Sequence, residues 1–148
     1  MSIDLSIKYT EDVAYFFQRM DKKKTIRYMT FKVGKGNVVD VDKVGDRITD
    51  FNEFISIIPK NEPRFIVYDV NCRTGDGRQF DKLLFAYWCP DTVQSAKVRF
   101  LYASAKKYIA NFFKSTGSLE DSLDITLHDS DDLREENFIK AASRGAAP

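Results

Sequence analysis

Few residues in this 148-residue chain are equipped for chemistry of their own. His128 is the single histidine, and no "GxSxG" elbow offers it a serine to activate. One histidine with Cys72 and Cys89, which lack a metal or redox spacing, makes too small a ligand set for a His/Cys metal site. The acidic run Asp129, Asp131 and Asp132 lacks the glycine and the terminal glutamate of a calcium loop. Acids in that position suit the N-terminal end of a helix, where the dipole favours negative charge. The glycine pairs Gly34/Gly36 and Gly75/Gly77 fall in hairpin turns and open no helix, so neither aims N–H groups at a phosphate. With no catalytic residue, metal or cofactor indicated, the pattern points to a binding protein.

Composition narrows the partners. The net formal charge of +1 creates no overall field that recruits nucleic acid or membrane. Its distribution is uneven. Between Asp91 and Lys114 one acid stands against five bases, whereas between Ser118 and Glu136 eight acids stand against Arg134 alone. Two thiols make no disulfide framework, which suits a reducing compartment. No apolar run approaches membrane-spanning length, and the N-terminal "MSIDLSIKYTED" lacks the apolar block of a signal peptide. The expectation is a cytoplasmic monomer, with "KKK" at 22–24 as a weak nuclear-import pattern. The length suits one domain over 1–148, with a flexible N-terminus about 1–7 and a loose tail about 145–148.

The elements that must position any binding surface follow from periodicity. Thr10 is a good N-cap for a helix carrying Val13, Phe16, Phe17 and Met20 at helical spacing. "IRYMTFKV" and "VVDVDKV" read as strands joined by the turn "GKGN". Asp50 caps a short helix with Phe51, Phe54, Ile55 and Ile58, closed by Pro59 and Pro63. "RFIVYDV" and "KLLFAYW" are near-continuous apolar runs, as expected of strands buried on both faces, and the polar "NCRTGDGRQF" joins them as a central hairpin. "CPDT" breaks the strand and caps a long helix over 93–114. "SLDITLH" is a short strand, and a last helix follows with Ser130 or Asp131 as its cap and Gly145 as its stop. The order α-β-β-α-β-β-α-β-α predicts an α/β (α+β) fold, a mixed sheet with helices on both faces.

The long helix contains an anomaly. With residues placed at about 100° per step from Val98, Leu101, Tyr102, Ala105, Ile109 and Phe112 share one apolar arc, with Phe113 at its edge. Ala96, Phe100, Ala103 and Lys107 lie opposite, flanked by Lys97, Arg99, Ser104 and Lys106. Phe100 is therefore expected to face outward. An exposed aromatic between small alanines, with an arginine beside it and a charged surround, has the composition of an interface hot spot. Three readings stay open at this point: a protein-binding face, a kinked helix that turns Phe100 inward, and an anionic-lipid surface.

The stretches "RFIVYDV", "KLLFAYWCPDT", "KVRFLYASAKKYI" and "SRGA" resemble the ADF/cofilin family of actin-binding proteins. The similarity is strongest from Arg64 to Ile109. It implies one ADF-homology domain with a central mixed five-stranded sheet, and no catalytic site. It implies actin as the partner, as monomer, preferably ADP-bound, and as filament, with depolymerisation and severing as the outcome. In the family the long helix enters a cleft between two actin subdomains. That implies a monomer site of Lys97, Arg99, Phe100, Ser104 and Lys107 together with the N-terminal Ser2 and Ser6. Phe100 stands where the family usually has methionine.

The same resemblance implies a filament site at Arg78, Lys82, Lys140 and Arg144. Phe80 replaces the usual basic residue two positions before Lys82, and Lys140 with Ala141 replaces a common acid–base pair. Ser2 or Ser6 is the expected phosphorylation position, where nearly two added negative charges would oppose an acidic partner. Lys22, Lys23, Lys24 and Lys106, with Arg99 and Lys107, are candidates for phosphoinositide headgroups, each charge contributing about 1 kcal/mol near an anionic surface. The rival reading within the same fold is a glia-maturation-factor-like regulator of the actin-branching complex, suggested by "PRFIVY", "DGR" and "DLREEN". A mainly monomer-sequestering role is the other.

Overall fold

The computed structural model describes residues 6–73, 75–116 and 124–143. In chain order the elements are β1 (Lys8–Tyr9), α1 (Glu11–Asp21), β2 (Ile26–Gly34), β3 (Val38–Asp46), α2 (Phe51–Ser56), β4 (Arg64–Arg73), β5 (Gln79–Trp88), α3 (Ala96–Thr116), β6 (Asp124–Leu127) and α4 (Glu135–Ser143). The strands form one mixed sheet in the order β1-β3-β2-β4-β5-β6. The β4–β5 hairpin lies inside it, paired from Arg64 opposite Trp88 to Arg73 opposite Gln79. The turn is shorter than its polar sequence suggests, because ladder pairing continues through Asn71, Cys72 and Arg73.

The near-continuous apolar runs have a simple cause. Side chains alternate across a strand, and helices cover both faces of the sheet. Phe65, Val67, Leu83, Phe85 and Tyr87 join Val13, Phe17 and Met20 of α1 and Tyr102, Ala105, Ile109 and Phe113 of α3 in one core. Ile66, Tyr68, Val70, Leu84, Ala86 and Trp88 join Phe54 of α2 and Phe138, Ala141 and Ala142 of α4 in the other. The molecule is thus three-layered, with α1 and α3 on one side and α2 and α4 on the other.

Several boundaries differ from expectation. Among the described residues the sheet has six strands, not five, because Lys8 and Tyr9 pair in parallel with Val38 and Val39 of β3. Two residues carry no readable period, so this strand exists only through its tertiary partner. Ile7, within the segment expected to be flexible, packs against the first core. Thr10 precedes α1, but its hydroxyl donates to Asp40 Oδ1 at 2.7 Å and caps no helical N–H. Asp50 caps α2 as expected, accepting from Glu53 N at 2.8 Å.

The long helix starts at Ala96 and not at 93, with Ser95 Oγ accepting from Val98 N at 3.2 Å. The expected last helix is split. Ser130–Asp132 form a 3-10 turn, Leu133 leaves helical geometry at ψ 64°, and α4 begins at Glu135. The cap of the 3-10 turn is Asp129, which accepts from Asp131 N and Asp132 N, while Asp132 accepts from the N–H groups of His128 and Asp129. Gly145, the expected stop, lies outside the described residues, as does most of each terminal segment.

Gly36 and Gly45 are each required by the structure around them. Gly36 turns the β2–β3 connection at φ +71°. Gly45 lies against the ring of Tyr28, its partner across the β2–β3 ladder, so closely that an added Cβ would overlap it.

Candidate functional site

The outward face of α3 is the strongest candidate. Its inward face is fixed at several points. Phe113 is fully buried among Phe17, Phe31 and Phe85. Tyr102 stacks on Phe65, and its hydroxyl accepts from Val33 N at 2.9 Å. Burial pushes the Tyr102 phenol above its ordinary pKa, so it stays a neutral hydroxyl. Phe112 stacks on Tyr9 with ring centres 4.1 Å apart, and Tyr9 Oη donates to Tyr108 O at 3.3 Å. The N-terminal strand therefore runs beside the second half of α3, and exposed Ser6 lies two residues before it.

With the helix so fixed, Phe100 is turned outward and is 56% exposed, which removes the kinked-helix reading. Ala96, Lys97, Ala103 and Lys107 are exposed with it, and Ser104 is half-buried. An aromatic ring is thus flanked by small residues and two lysines on a rigid element.

Two flanking bases behave differently from a free rim. Arg99 folds back on the loop before the helix. Its Nε donates to Val93 O at 2.6 Å, and its Nη2 donates to Asp91 O at 2.9 Å and to Pro90 O at 3.4 Å. Lys106 Nζ donates to Thr126 Oγ1 of β6 at 3.0 Å. The Arg99 arrangement was not legible in the sequence, because it joins a helix residue to three carbonyls in a loop of unpredictable path. Exposed Tyr108 was also missed, and only its flank position on the helical wheel hinted at it.

The expected filament-side residues lie elsewhere. Arg78 is exposed at the β4–β5 turn with its Nε 3.1 Å from Asp76 Oδ2. Lys82 is half-buried on β5, and Lys140 is exposed on α4. Phe80 leans against the second core, which explains an apolar residue at that position. Arg144 and Ser2 lie outside the described residues.

The lysines proposed for lipid headgroups are not assembled into one pocket. Lys22 Nζ is 3.5 Å from Asp21, Lys24 Nζ is 3.7 Å from buried Asp69 on β4, Lys23 is exposed after α1, and Lys106 is tied to β6.

Two larger concavities lie away from this face, besides a smaller one of about 250 Å³ along Ala103, Lys107 and Asn111. One of about 570 Å³ opens between α2 and α4, lined by Arg27, Phe51, Tyr68 and Phe138. Another of about 670 Å³ lies below Trp88, between Ile55, Ile58, Pro90 and Leu133. His128 lines the second, with Nδ1 3.3 Å from Cys89 O. Among the described residues no group of three or more His, Cys, Asp or Glu side chains is placed to hold a metal ion. No helix there is long and apolar enough to cross a membrane.

A sequence model described as cofilin/tropomyosin-type actin-binding protein matches residues 6–143. Actin-depolymerizing factor 4 of Oryza sativa subsp. japonica is 34% identical over 100 residues, which span 66% of this chain and 70% of that protein. Among solved structures, the cofilin of Streptomyces griseoflavus superposes with a TM-score of 0.78 at 26% identity, covering 95% of this chain and 99% of that one. Coactosin from Entamoeba histolytica, at 17% identity and a TM-score of 0.76 over 95% and 97% of the two chains, is similar in fold.

Proposed function

Because this chain belongs to the cofilin/tropomyosin-type actin-binding protein family, we propose that the outward face of α3 is its actin-binding surface and that it acts in actin turnover in the cytoplasm. Phe100 enters an apolar cleft on the actin monomer, with Lys97 and Lys107 as the charged rim and Ser104 at its edge. Ser6 lies two residues before β1, whose Tyr9 packs on the second half of α3, so a phosphate there or at Ser2 would add negative charge where an acidic partner arrives. ADP-bound monomers are the preferred form, and filament sides are engaged through Arg78, Lys82, Lys140 and Arg144. Phosphoinositides, held by Lys22, Lys23, Lys24 and Lys106 with Arg99 and Lys107, would compete with actin.

One observation carries this reading: a large aromatic is 56% exposed on a helix whose other face is locked into the core. Exposing it has no packing benefit, whereas a desolvated aromatic anchor is a common source of binding energy. The test is titration of fluorescently labelled actin monomers, in ADP and ATP forms, with wild type, Phe100→Ala and Lys97→Ala. Truncating the anchor is expected to weaken binding by about 2 kcal/mol or more, roughly thirtyfold. Lys97→Ala should have a smaller effect that fades at high salt. Wild-type affinity in both variants would overturn the site.

A second reading is favoured by Phe80. Its side chain packs against the core, so the start of β5 presents one base fewer than the family pattern. Mainly monomer-sequestering activity would then appear as tight monomer binding with little pelleting on filaments. No pelleting, no depolymerisation and no monomer binding would instead favour action on the actin-branching complex.

A further inference from the structure

We infer that Arg99 is a positioning residue for the actin contact and that the contact surface extends onto the loop it holds, Pro90 to Gln94. The inference rests on α3 being the actin-binding face.

Three backbone carbonyls of that loop converge on one guanidinium. Val93 O accepts from Nε, and Asp91 O and Pro90 O accept from Nη2. The loop makes few bonds otherwise. Asp91 N donates to His128 O at 3.1 Å, and Val93 N donates to Pro90 O at 3.0 Å. On its far side Thr92 Oγ1 donates to Lys60 O at 3.2 Å. Arg99 thus supplies the near-side clasp of a loop whose carbonyls have no ladder to join.

The clasp bears directly on the binding face. The loop leads into Ser95, whose Oγ accepts from Val98 N and so sets the first turn of α3. That turn carries Lys97, and Phe100 follows one residue after Arg99. Asp91, Thr92 and Gln94 are exposed on the loop, next to the first turn of α3. Held in place, the loop presents a fixed surface beside the aromatic anchor, and no ordering cost falls due on binding. A guanidinium suits the task because its planar fork reaches several acceptors at once. A lysine ammonium carries the same charge at a single point.

This role differs from a direct charge contact with actin, and Arg99→Lys separates the two because it keeps the charge and removes the fork. Two measurements are made on wild type, Arg99→Lys, Arg99→Ala and Lys97→Ala. The first is amide hydrogen exchange across 90–95 in the free protein. The second is affinity for ADP-actin monomers over a range of ionic strength.

Both Arg99 variants should exchange the Asp91 and Val93 amides about tenfold faster than wild type. Both should bind about tenfold more weakly. Arg99→Lys should keep the wild-type salt dependence, whereas Lys97→Ala should flatten it.

Wild-type affinity in Arg99→Lys beside weak binding in Arg99→Ala would make Arg99 a charge contact and overturn the inference. Unchanged exchange in the loop would also overturn it. Wild-type protein that fails to bind actin at all would overturn the reading on which the inference rests. The exchange arm needs no actin and judges the clasp separately.

Discussion

Asp69 is enclosed within β4, opposite Leu83 of β5, on the side of the sheet that α1 covers. Its Oδ2 lies 2.6 Å from Arg47 Nη1 and 3.7 Å from Lys24 Nζ, while Oδ1 has no hydrogen-bond partner among the described residues. Desolvation pushes its pKa above the ordinary aspartate value, against the pull of Lys24 and Arg47. A carboxyl whose folded-state pKa is raised holds its proton more tightly in the native chain than in the unfolded one. Its contribution to stability is complete below the unfolded-state pKa and is lost as pH rises through the folded-state value. Urea unfolding of wild type and Asp69→Asn across the acid range should therefore show the wild type losing ground to the variant as pH rises past the ordinary aspartate range. A difference that stays flat or grows in favour of the wild type would refute this account. None of it was legible in the sequence, because Lys24 and Arg47 come from two separate connections and Asp69 from a strand distant from both. Phe100 was legible, because helical spacing alone placed it opposite an apolar arc.

At the scale of the element, α3 owes its orientation to Tyr102, Phe112 and Phe113. Tyr102 contributes one bond that can be removed without disturbing its ring, the 2.9 Å contact that its hydroxyl accepts from Val33 N. Tyr102→Phe keeps the stack on Phe65 and leaves that N–H without its acceptor. The expected cost is about 1 kcal/mol, seen as a fall in Tm of about 2–4 °C. Actin affinity should hold, because the ring lies on the buried side of the helix. An unchanged Tm would mean that water replaces the hydroxyl without loss. The helix itself was legible from its period, while its start was not. Nothing local distinguishes Thr92 from Ser95 as the cap, and the choice follows from where the Arg99 clasp and the Thr92–Lys60 bond place the loop.

The whole molecule separates two surfaces. The proposed monomer face lies on the α1/α3 layer, and the two described lysines of the proposed filament site lie across the sheet. Lys140 is on α4, and strand alternation puts Lys82 on the α4 side of β5. Substitutions in the two layers lie on opposite sides of the sheet and should act independently. The pair Lys82→Ala and Lys140→Ala is expected to reduce co-pelleting with filaments while monomer affinity stays within about twofold. Equal loss in both assays would mean that the two layers form one contact surface. Unchanged pelleting would remove these lysines from the filament site.

The sequence by itself determined the period of each main element, the double-sided burial of the central hairpin, and the outward direction of Phe100. It also carried the family resemblance. These are properties of neighbouring residues, set by repeats of 3.6 or 2 and by motifs continuous along the chain. Only the tertiary structure decided that Lys8 and Tyr9 form a sixth strand, that Phe80 packs against the core and that Arg99 clasps the Pro90–Val93 loop. Each of those facts depends on which distant acceptor or strand edge the folded chain brings within hydrogen-bonding or packing distance, and no local pattern encodes that meeting.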